Sequence, residues 1–192
     1  VEGMEACEER LPEIVQRLGL PLIVKPPSGG STLGLTLVRE EERLAAAVAL
    51  SLSIQKQVMF EAYVRGRELT VGILGARALP VGEIIPDHEL FDYECKYRPG
   101  LAQEIFPADL PSDVAEGVQK DALEVHQVLR LRDFSRVDFI LDSLGNAWCL
   151  EANALPGFTG NSLLPKAARS AGIPFPELCH ELAEMAVLRA RE

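Results

Sequence analysis

The sequence lacks any long run of apolar residues, so we expect no transmembrane helix. It has four cysteines but no Cys-x-x-Cys pair, which argues against a zinc or redox motif and favours free thiols in a reducing cytoplasm. Basic residues are few: 19 Lys and Arg stand against 29 Asp and Glu, for a net charge of -10. This balance argues against nucleic acid as a partner, because a phosphate backbone requires positive charge, but it leaves single nucleotides open. The acidic start lacks the layout of a signal peptide and has no methionine at position 1, which predicts a fragment.

The 192 residues are enough for one large domain or two small lobes. Apolar spacing and turn residues predict helices over 8–18, 40–52, 112–130, 162–170 and 176–189, with Ser112 as the N-cap of the third. Strands are predicted over 21–25, 33–38, 58–64, 68–74 and 78–85. Residues 86–103 form a long irregular stretch, and in a compact domain such a stretch is often functional. We expect it to be a mobile lid over a site.

Two further strands carry the strongest chemical pattern, Arg136 to Leu141 and Trp148 to Asn153. The turn residues between them predict a hairpin. Alternation puts Arg136 and Asp138 on one face of the first strand. In the second it groups Glu151 and Asn153 with Cys149, and it turns Trp148, Leu150 and Ala152 towards a core.

A four-residue loop, 143–146, puts Asp138 opposite Glu151 and Arg136 opposite Asn153. Opposed residues have Cβ atoms roughly 5 Å apart, so two unpaired carboxylates there repel each other. A divalent cation resolves this, and carboxylate and amide oxygens suit Mg²⁺ or Mn²⁺. Arg136 beside the acids suits a phosphoryl oxygen. The alternative is a solvated polar face, and a slip of one residue would separate the two acids.

Each of three other stretches can be interpreted either as part of a binding site or as ordinary structure without a functional role. Lys25 precedes a glycine-rich loop that could hold an anion or simply be a flexible turn. The run Glu61-Ala62-Tyr63-Val64, followed by Glu68, could bind adenine and ribose or be a half-buried strand. The run Tyr93-Glu94-Cys95-Lys96-Tyr97 could belong to a lid or be an aromatic surface loop.

Taken together and in order, these motifs resemble the ATP-grasp ligases, and within them the D-alanine–D-alanine ligases. The resemblance runs from about Leu18 onward and includes Arg136-x-Asp138 and Glu151-x-Asn153-x-x-Pro156-Gly157. It implies an α+β ATP-grasp fold, with part of a small lobe over 1–66 and a C-terminal lobe over 67–192. It also implies ATP and two Mg²⁺ ions as cofactors, with Mn²⁺ as a substitute, D-alanine as substrate, no membrane or nucleic-acid partner, and a homodimer as one permitted assembly.

The resemblance also assigns roles. The ATP-binding residues it implies are Lys25, Gly30, Ser31, Thr32, Glu61, Ala62, Tyr63, Val64, Glu68 and Lys96. The metal ligands are Asp138, Glu151 and Asn153. The catalytic set is Ser31 and Tyr97, which link the loop to the lid, with Arg136 and the Gly157 amide as oxyanion donors. Ser162 and Leu163 would contact the carboxylate of the second substrate.

The chain departs from the family pattern at Gly29, Ala62 and Ala154. The family's N-terminal domain and the first part of its small lobe are missing, so we expect Leu22, Val24, Leu35 and Leu37 to expose apolar strand faces. The implied function is ATP-dependent joining of two D-alanines in the cytoplasm for peptidoglycan precursors. Another ATP-grasp carboxylate–amine ligase and a catalytically silent nucleotide-binding remnant are the alternatives.

Overall fold

A computed structural model of the chain describes residues 3–28, 32–86 and 102–190. These residues divide into two compact units, one built on the residues up to Val64 and the other on Arg65–Ile85 with the residues from Ala102 onward. The boundary lies two residues before the one predicted after position 66. Both units combine helices with antiparallel sheet, as the α+β prediction requires.

The first unit is a three-stranded sheet covered by two helices. In chain order its elements are α1 (Met4–Leu18), β1 (Leu22–Lys25), β2 (Thr36–Val38), α2 (Leu44–Ile54) and β3 (Met59–Ala62). β1 lies between β2 and β3 and pairs antiparallel with both. Helix α1 ends at Gly19, whose positive φ of 74° suits glycine and whose N–H donates to the Val15 carbonyl at 2.8 Å.

Leu22 and Val24 form the centre of this unit rather than an exposed face. Both are fully buried among Cys7 of α1 and Val48 of α2. The prediction of exposed strand faces is therefore wrong for these two residues, because the helices before and after the strands already cover the sheet.

The second unit is built on a six-stranded sheet whose central strands pair antiparallel. Its strands are β4 (Gly66–Leu74), β5 (Arg77–Ala78), β6 (Gly82–Pro86), β7 (Ala102–Ile105), β8 (Phe134–Asp142) and β9 (Ala147–Asn153). They are arranged in the order β7-β6-β4-β8-β9, with β5 pairing β4. The predicted strand 78–85 is divided into β5 and β6, with Pro80 lying between them.

Three helices cover the two faces of this sheet: α3 (Ser112–Val128), α4 (Leu163–Ser170) and α5 (Phe175–Arg189). Val118 and Ala122 of α3 pack on one face, against Val71 and Phe139. On the other face α4 approaches Gly72 so closely that a Cβ there would lie 2.6 Å from Leu164 Cδ1.

The start of α3 corrects one prediction. Pro111 occupies the N-cap position and Ser112 is the first helical residue. Proline at the cap suits its extended backbone there, since its φ is -55°.

Of the predicted lid, 86–103, Pro86 ends β6 and Ala102 and Gln103 begin β7, and the rest lies outside the described residues. No helix within 3–28, 32–86 and 102–190 has the length and apolarity needed to cross a membrane.

Candidate active site

The β8–β9 hairpin brings the predicted metal ligands together. Arg136 pairs with Asn153 and Asp138 pairs with Glu151, as predicted. Near the turn, however, Leu141 pairs with Ala147 and Phe139 with Cys149, which is one residue out of the register that the predicted loop implies. A β-bulge that leaves Leu150 unpaired restores the predicted register before the site is reached.

The bulge also reassigns the faces of β9. Because opposed residues share a face, Cys149 lies on the side of Phe139, and Trp148 on the side of Ile140. The prediction that grouped Cys149 with Glu151 and turned Trp148 and Leu150 towards the core is therefore wrong. Trp148 and Leu150 are exposed, and of these three residues Ala152 packs against the core.

Asp138 accepts hydrogen bonds on both of its carboxylate oxygens. Arg136 Nε donates to Oδ1 at 2.9 Å and Arg136 Nη2 to Oδ2 at 2.7 Å, a two-bonded ion pair between largely buried side chains. Thr70 Oγ1 donates to Oδ1 at 2.7 Å, and Asn153 Nδ2 to Oδ2 at 3.2 Å. The premise of two unpaired acids is thus wrong, since the guanidinium already neutralises Asp138.

Arg136 remains charged in this setting. Burial disfavours its charged form, but the hydrogen bonds from Arg136 to Asp138 and the nearby carboxylates of Asp138, Glu151 and Glu68 outweigh burial. Together they hold the pKa of the guanidinium above its ordinary value. The site therefore presents a permanent positive charge between three acids.

The three predicted ligands fit a hard cation by their chemistry. Asn153 Nδ2 lies 3.2 Å from Asp138 Oδ2 and 3.4 Å from Glu151 Oε1, so one amide spans both carboxylates. Turned over, that amide presents its carbonyl oxygen at the same place and completes a set of three oxygen ligands. Among the described residues, no group of three or more His, Cys, Asp or Glu side chains could hold a metal, so the Asn153 amide would be the third protein ligand of this set.

Gly157 and Ser162 lie side by side after β9. A Cβ at Gly157 would be 3.1 Å from Ser162 Oγ, closer than an ordinary contact. Thr159 N donates to the same Oγ at 3.0 Å. Ser162 is the N-cap of α4 and Leu163 its first residue, so the Leu163 N–H is one of the donors that a helix start leaves without an intrahelical partner. The two predicted groups can therefore face one anion.

In the first unit, Lys25 Nζ and Glu61 Oε2 form an ion pair at 2.8 Å. Glu61 and Ala62 belong to β3, whereas Tyr63 and Val64 follow it, and the Tyr63 N–H donates to the Pro21 carbonyl at 3.2 Å. That amide is therefore already used, which leaves fewer groups in this run to meet an adenine edge.

Thr32 has two unusual features for a residue in a loop. Its φ is 57°, a conformation that costs energy for a β-branched side chain. Its Oγ1 is buried without a hydrogen-bond partner in the described part of the chain. Such a donor is expected to have a partner, so these features fit a ligand-binding loop. Gly30, Ser31, Lys96 and Tyr97 lie outside the described residues.

Thr70 was missed by the sequence analysis, although it lies on the same face of the sheet as Glu68. The available signal was their polar alternation in the predicted strand 68–74. It could not be used, because nothing in the sequence indicated that this strand pairs with β8.

Comparison with known proteins decides the family. The family D-ala D-ala ligase C-terminus matches residues 2–184. The chain belongs to this family. A D-alanine--D-alanine ligase of Pelotomaculum thermopropionicum is 41% identical over 189 residues, which cover 97% of this chain and 58% of the relative. The chain thus spans a little over half the length of the curated relatives it matches.

Two solved structures give the same result for the fold. A D-alanine--D-alanine ligase from Bacillus anthracis complexed with ATP matches with a TM-score of 0.78 and 32% identity, covering 92% of this chain and 55% of that one. The VanG D-Ala:D-Ser ligase from Enterococcus faecalis matches with a TM-score of 0.86 and 29% identity, covering 96% and 55%. The ATP-grasp prediction is confirmed.

Proposed function

We propose that this chain is the ATP- and metal-binding portion of a ligase that joins two D-alanines for peptidoglycan precursors. The observation that carries the proposal is the group Arg136, Asp138, Glu151 and Asn153 on one sheet face, in a chain that belongs to the D-alanine–D-alanine ligase family. Carboxylate and amide oxygens can hold metal ions in phosphoryl transfer, and a permanent cation can neutralise charge on the transferring group.

Asp138, Glu151 and Asn153 would hold the metal. When bound, two Mg²⁺ ions would neutralise negative charge on the transferring phosphoryl group, and Mn²⁺ could replace them. Arg136, which contacts both oxygens of Asp138, would lie beside that metal and would donate to a substrate oxygen.

The family resemblance assigns the nucleotide contacts residue by residue. Lys25 and Thr32 would contact phosphate, residues 61–64 the adenine, and Glu68 the ribose. The contact of Lys25 with Glu61 supports the part assigned to the first unit, and so does the Thr32 hydroxyl, which has no hydrogen-bond partner among the described residues. The contacts of Gly30, Ser31, Lys96 and Tyr97 remain predictions from the family resemblance.

The reaction would proceed in two steps. A carboxylate oxygen of the first D-alanine forms a bond to the γ-phosphorus of ATP as the bond to ADP breaks, which gives an acylphosphate. The amine nitrogen of the second D-alanine then attacks the acyl carbon, loses a proton, and expels phosphate. Arg136 and the Gly157 N–H would donate to the oxyanion, while Ser162 and the Leu163 N–H would bind the second carboxylate.

A D-alanine–D-serine ligase is a second candidate, favoured by the match to the VanG D-Ala:D-Ser ligase. The two reactions share every step described above and differ only in the hydroxyl of the second substrate. They can be separated by supplying both acceptors together and measuring the two dipeptides.

The test uses both the full-length protein and the chain as given, with ATP, Mg²⁺ and D-alanine. We expect the full-length protein to release phosphate only with D-alanine present and to form the dipeptide. The lone chain, which covers 58% of a relative's length, should bind nucleotide weakly and form none. Absence of dipeptide from the full-length protein, with nucleotide still bound, would contradict the proposal and favour a silent nucleotide-binding protein.

We also infer a cytoplasmic location, since the described cysteines Cys7, Cys149 and Cys179 are free thiols. A homodimer stays a prediction, which light scattering on the full-length protein would test.

A further inference from the structure

Thr70 makes a contact for which the proposed roles do not account. It lies in β4, directly opposite Asp138 in β8, and only 1% of its surface is exposed. Its Oγ1 donates to Asp138 Oδ1 at 2.7 Å, across 68 positions of sequence. A buried hydroxyl aimed at a candidate metal ligand is placed to orient that ligand.

The donors to Asp138 differ in how easily they can move. Arg136 has a long side chain with several rotatable bonds, and Asn153 lies on β9, the last strand in the sheet order. Thr70 is short, β-branched and enclosed by the sheet, so its hydroxyl has few alternative positions. It is therefore the fixed donor of the group.

The fixed contact also distinguishes the two carboxylate oxygens. Thr70 binds Oδ1, whereas Asn153, which also contacts Glu151, binds Oδ2. Oδ2 is thus the oxygen on the side of the other two candidate ligands.

We propose that Thr70 is a positioning residue for the metal site: its hydroxyl holds Oδ1 of Asp138 so that Oδ2 is presented towards Glu151 and Asn153. This inference rests on the proposed metal site. A divalent cation held by Asp138, Glu151 and Asn153 would then meet a carboxylate that Thr70 already orients.

Two substitutions at position 70 separate the hydroxyl from the shape of the side chain. Thr70→Val keeps the branched shape and removes the donor, and Thr70→Ser keeps the donor. Ser135→Ala is a matched control, because Ser135 lies in the same strand as Asp138, is fully buried, and bonds His126 Nδ1 at the same distance of 2.7 Å. Removing the Ser135 hydroxyl takes away one buried hydrogen bond on the face of the sheet opposite to Asp138.

The experiment is a Mn²⁺ titration of the full-length protein with a non-hydrolysable ATP analogue, read by the electron paramagnetic resonance of free Mn²⁺. Urea unfolding of each variant gives its stability in parallel. Thr70→Val should weaken Mn²⁺ binding by about tenfold or more, as loss of a contact behind a ligand commonly does. Thr70→Ser and Ser135→Ala should bind Mn²⁺ with an affinity within about twofold of that of the wild type. Ser135→Ala should keep this affinity even though, like Thr70→Val, it loses stability towards urea.

Three results would overturn the inference. Thr70→Val could bind Mn²⁺ as tightly as the wild type, Thr70→Ser could lose as much affinity as Thr70→Val, or Ser135→Ala could weaken binding equally through lost stability. If the wild-type full-length protein binds no Mn²⁺, this inference fails together with the metal site. D-alanine ligation by the full-length protein is measured separately, so a failure of the proposed function is distinguishable.

Discussion

The ion pair between Arg136 and Asp138 allows a quantitative test of the site. The perturbation is a double-mutant cycle of Arg136→Met, Asp138→Asn and the double variant. The two side chains are 15% and 9% exposed, so each charge depends chiefly on the other for compensation. Methionine keeps much of the length of arginine, and asparagine keeps the shape of aspartate and can still accept from Thr70.

The structure sets the size of the expected effects. Removing one partner of a buried pair leaves an uncompensated charge and costs about 3–5 kcal/mol. Each single variant should therefore be destabilised by roughly that amount. The double variant leaves no buried charge at this position, so its loss should fall short of the sum of the singles by about 2 kcal/mol or more.

The assay is urea unfolding without divalent cations, followed by the fluorescence of the single tryptophan, Trp148. Trp148 lies in β9 of the same hairpin, and its Nε1 donates to Asp142 at 2.9 Å, so its emission reports on the second unit. If the losses add to within about 0.5 kcal/mol, the two residues are not coupled and the reasoning from burial and pairing is refuted.

Other predictions follow from the same structure. Glu151→Gln should change the free energy of unfolding by less than about 0.5 kcal/mol, because Glu151 is exposed. It should nevertheless weaken Mn²⁺ binding in the presence of nucleotide. An unchanged Mn²⁺ affinity would show that Glu151 is not a metal ligand. Gly117→Ala, in an open position of α3, should raise stability by about 0.5–1 kcal/mol. Gly66→Ala should lower the melting temperature, since its Cβ would lie 2.2 Å from the Leu141 carbonyl oxygen; equal melting temperatures for these two variants would contradict the packing. Burial lowers the pKa of His126 below its usual 6.5, so the unfolded state binds more protons and stability should fall as pH drops below about 6.5. In a His126→Gln variant, the urea midpoint should therefore depend less steeply on pH between about pH 5 and 7.5. An unchanged pH dependence would contradict this prediction.

Much of the site could be predicted because it depends on local pattern. Alternation within a strand places Arg136 and Asp138 on one face whatever the strand pairs with. Turn residues between two short strands predict a hairpin, and a hairpin brings Asp138 near Glu151. Family membership likewise followed from the order and spacing of motifs along the chain.

The register within that hairpin could not be predicted. The predicted pairing of Asp138 with Glu151 is correct because two one-residue displacements cancel. The turn is displaced by one residue from the predicted loop, and the bulge at Leu150 displaces the ladder back. A bulge depends on how the whole strand packs and twists in its sheet, so the local sequence does not reveal it. The same bulge exposes Trp148, for which simple alternation predicts a core position.

The sequence by itself therefore determined the helices, most strands, the family and the hairpin that pairs Asp138 with Glu151. Tertiary structure alone decided that Asp138 is already paired with Arg136, and that Thr70 lies behind it. It also decided that α1 and α2 bury Leu22 and Val24. The physical reason is that these contacts join separate elements, and the pairing of β4 with β8 is set by the packing of a whole sheet rather than by neighbours in the chain.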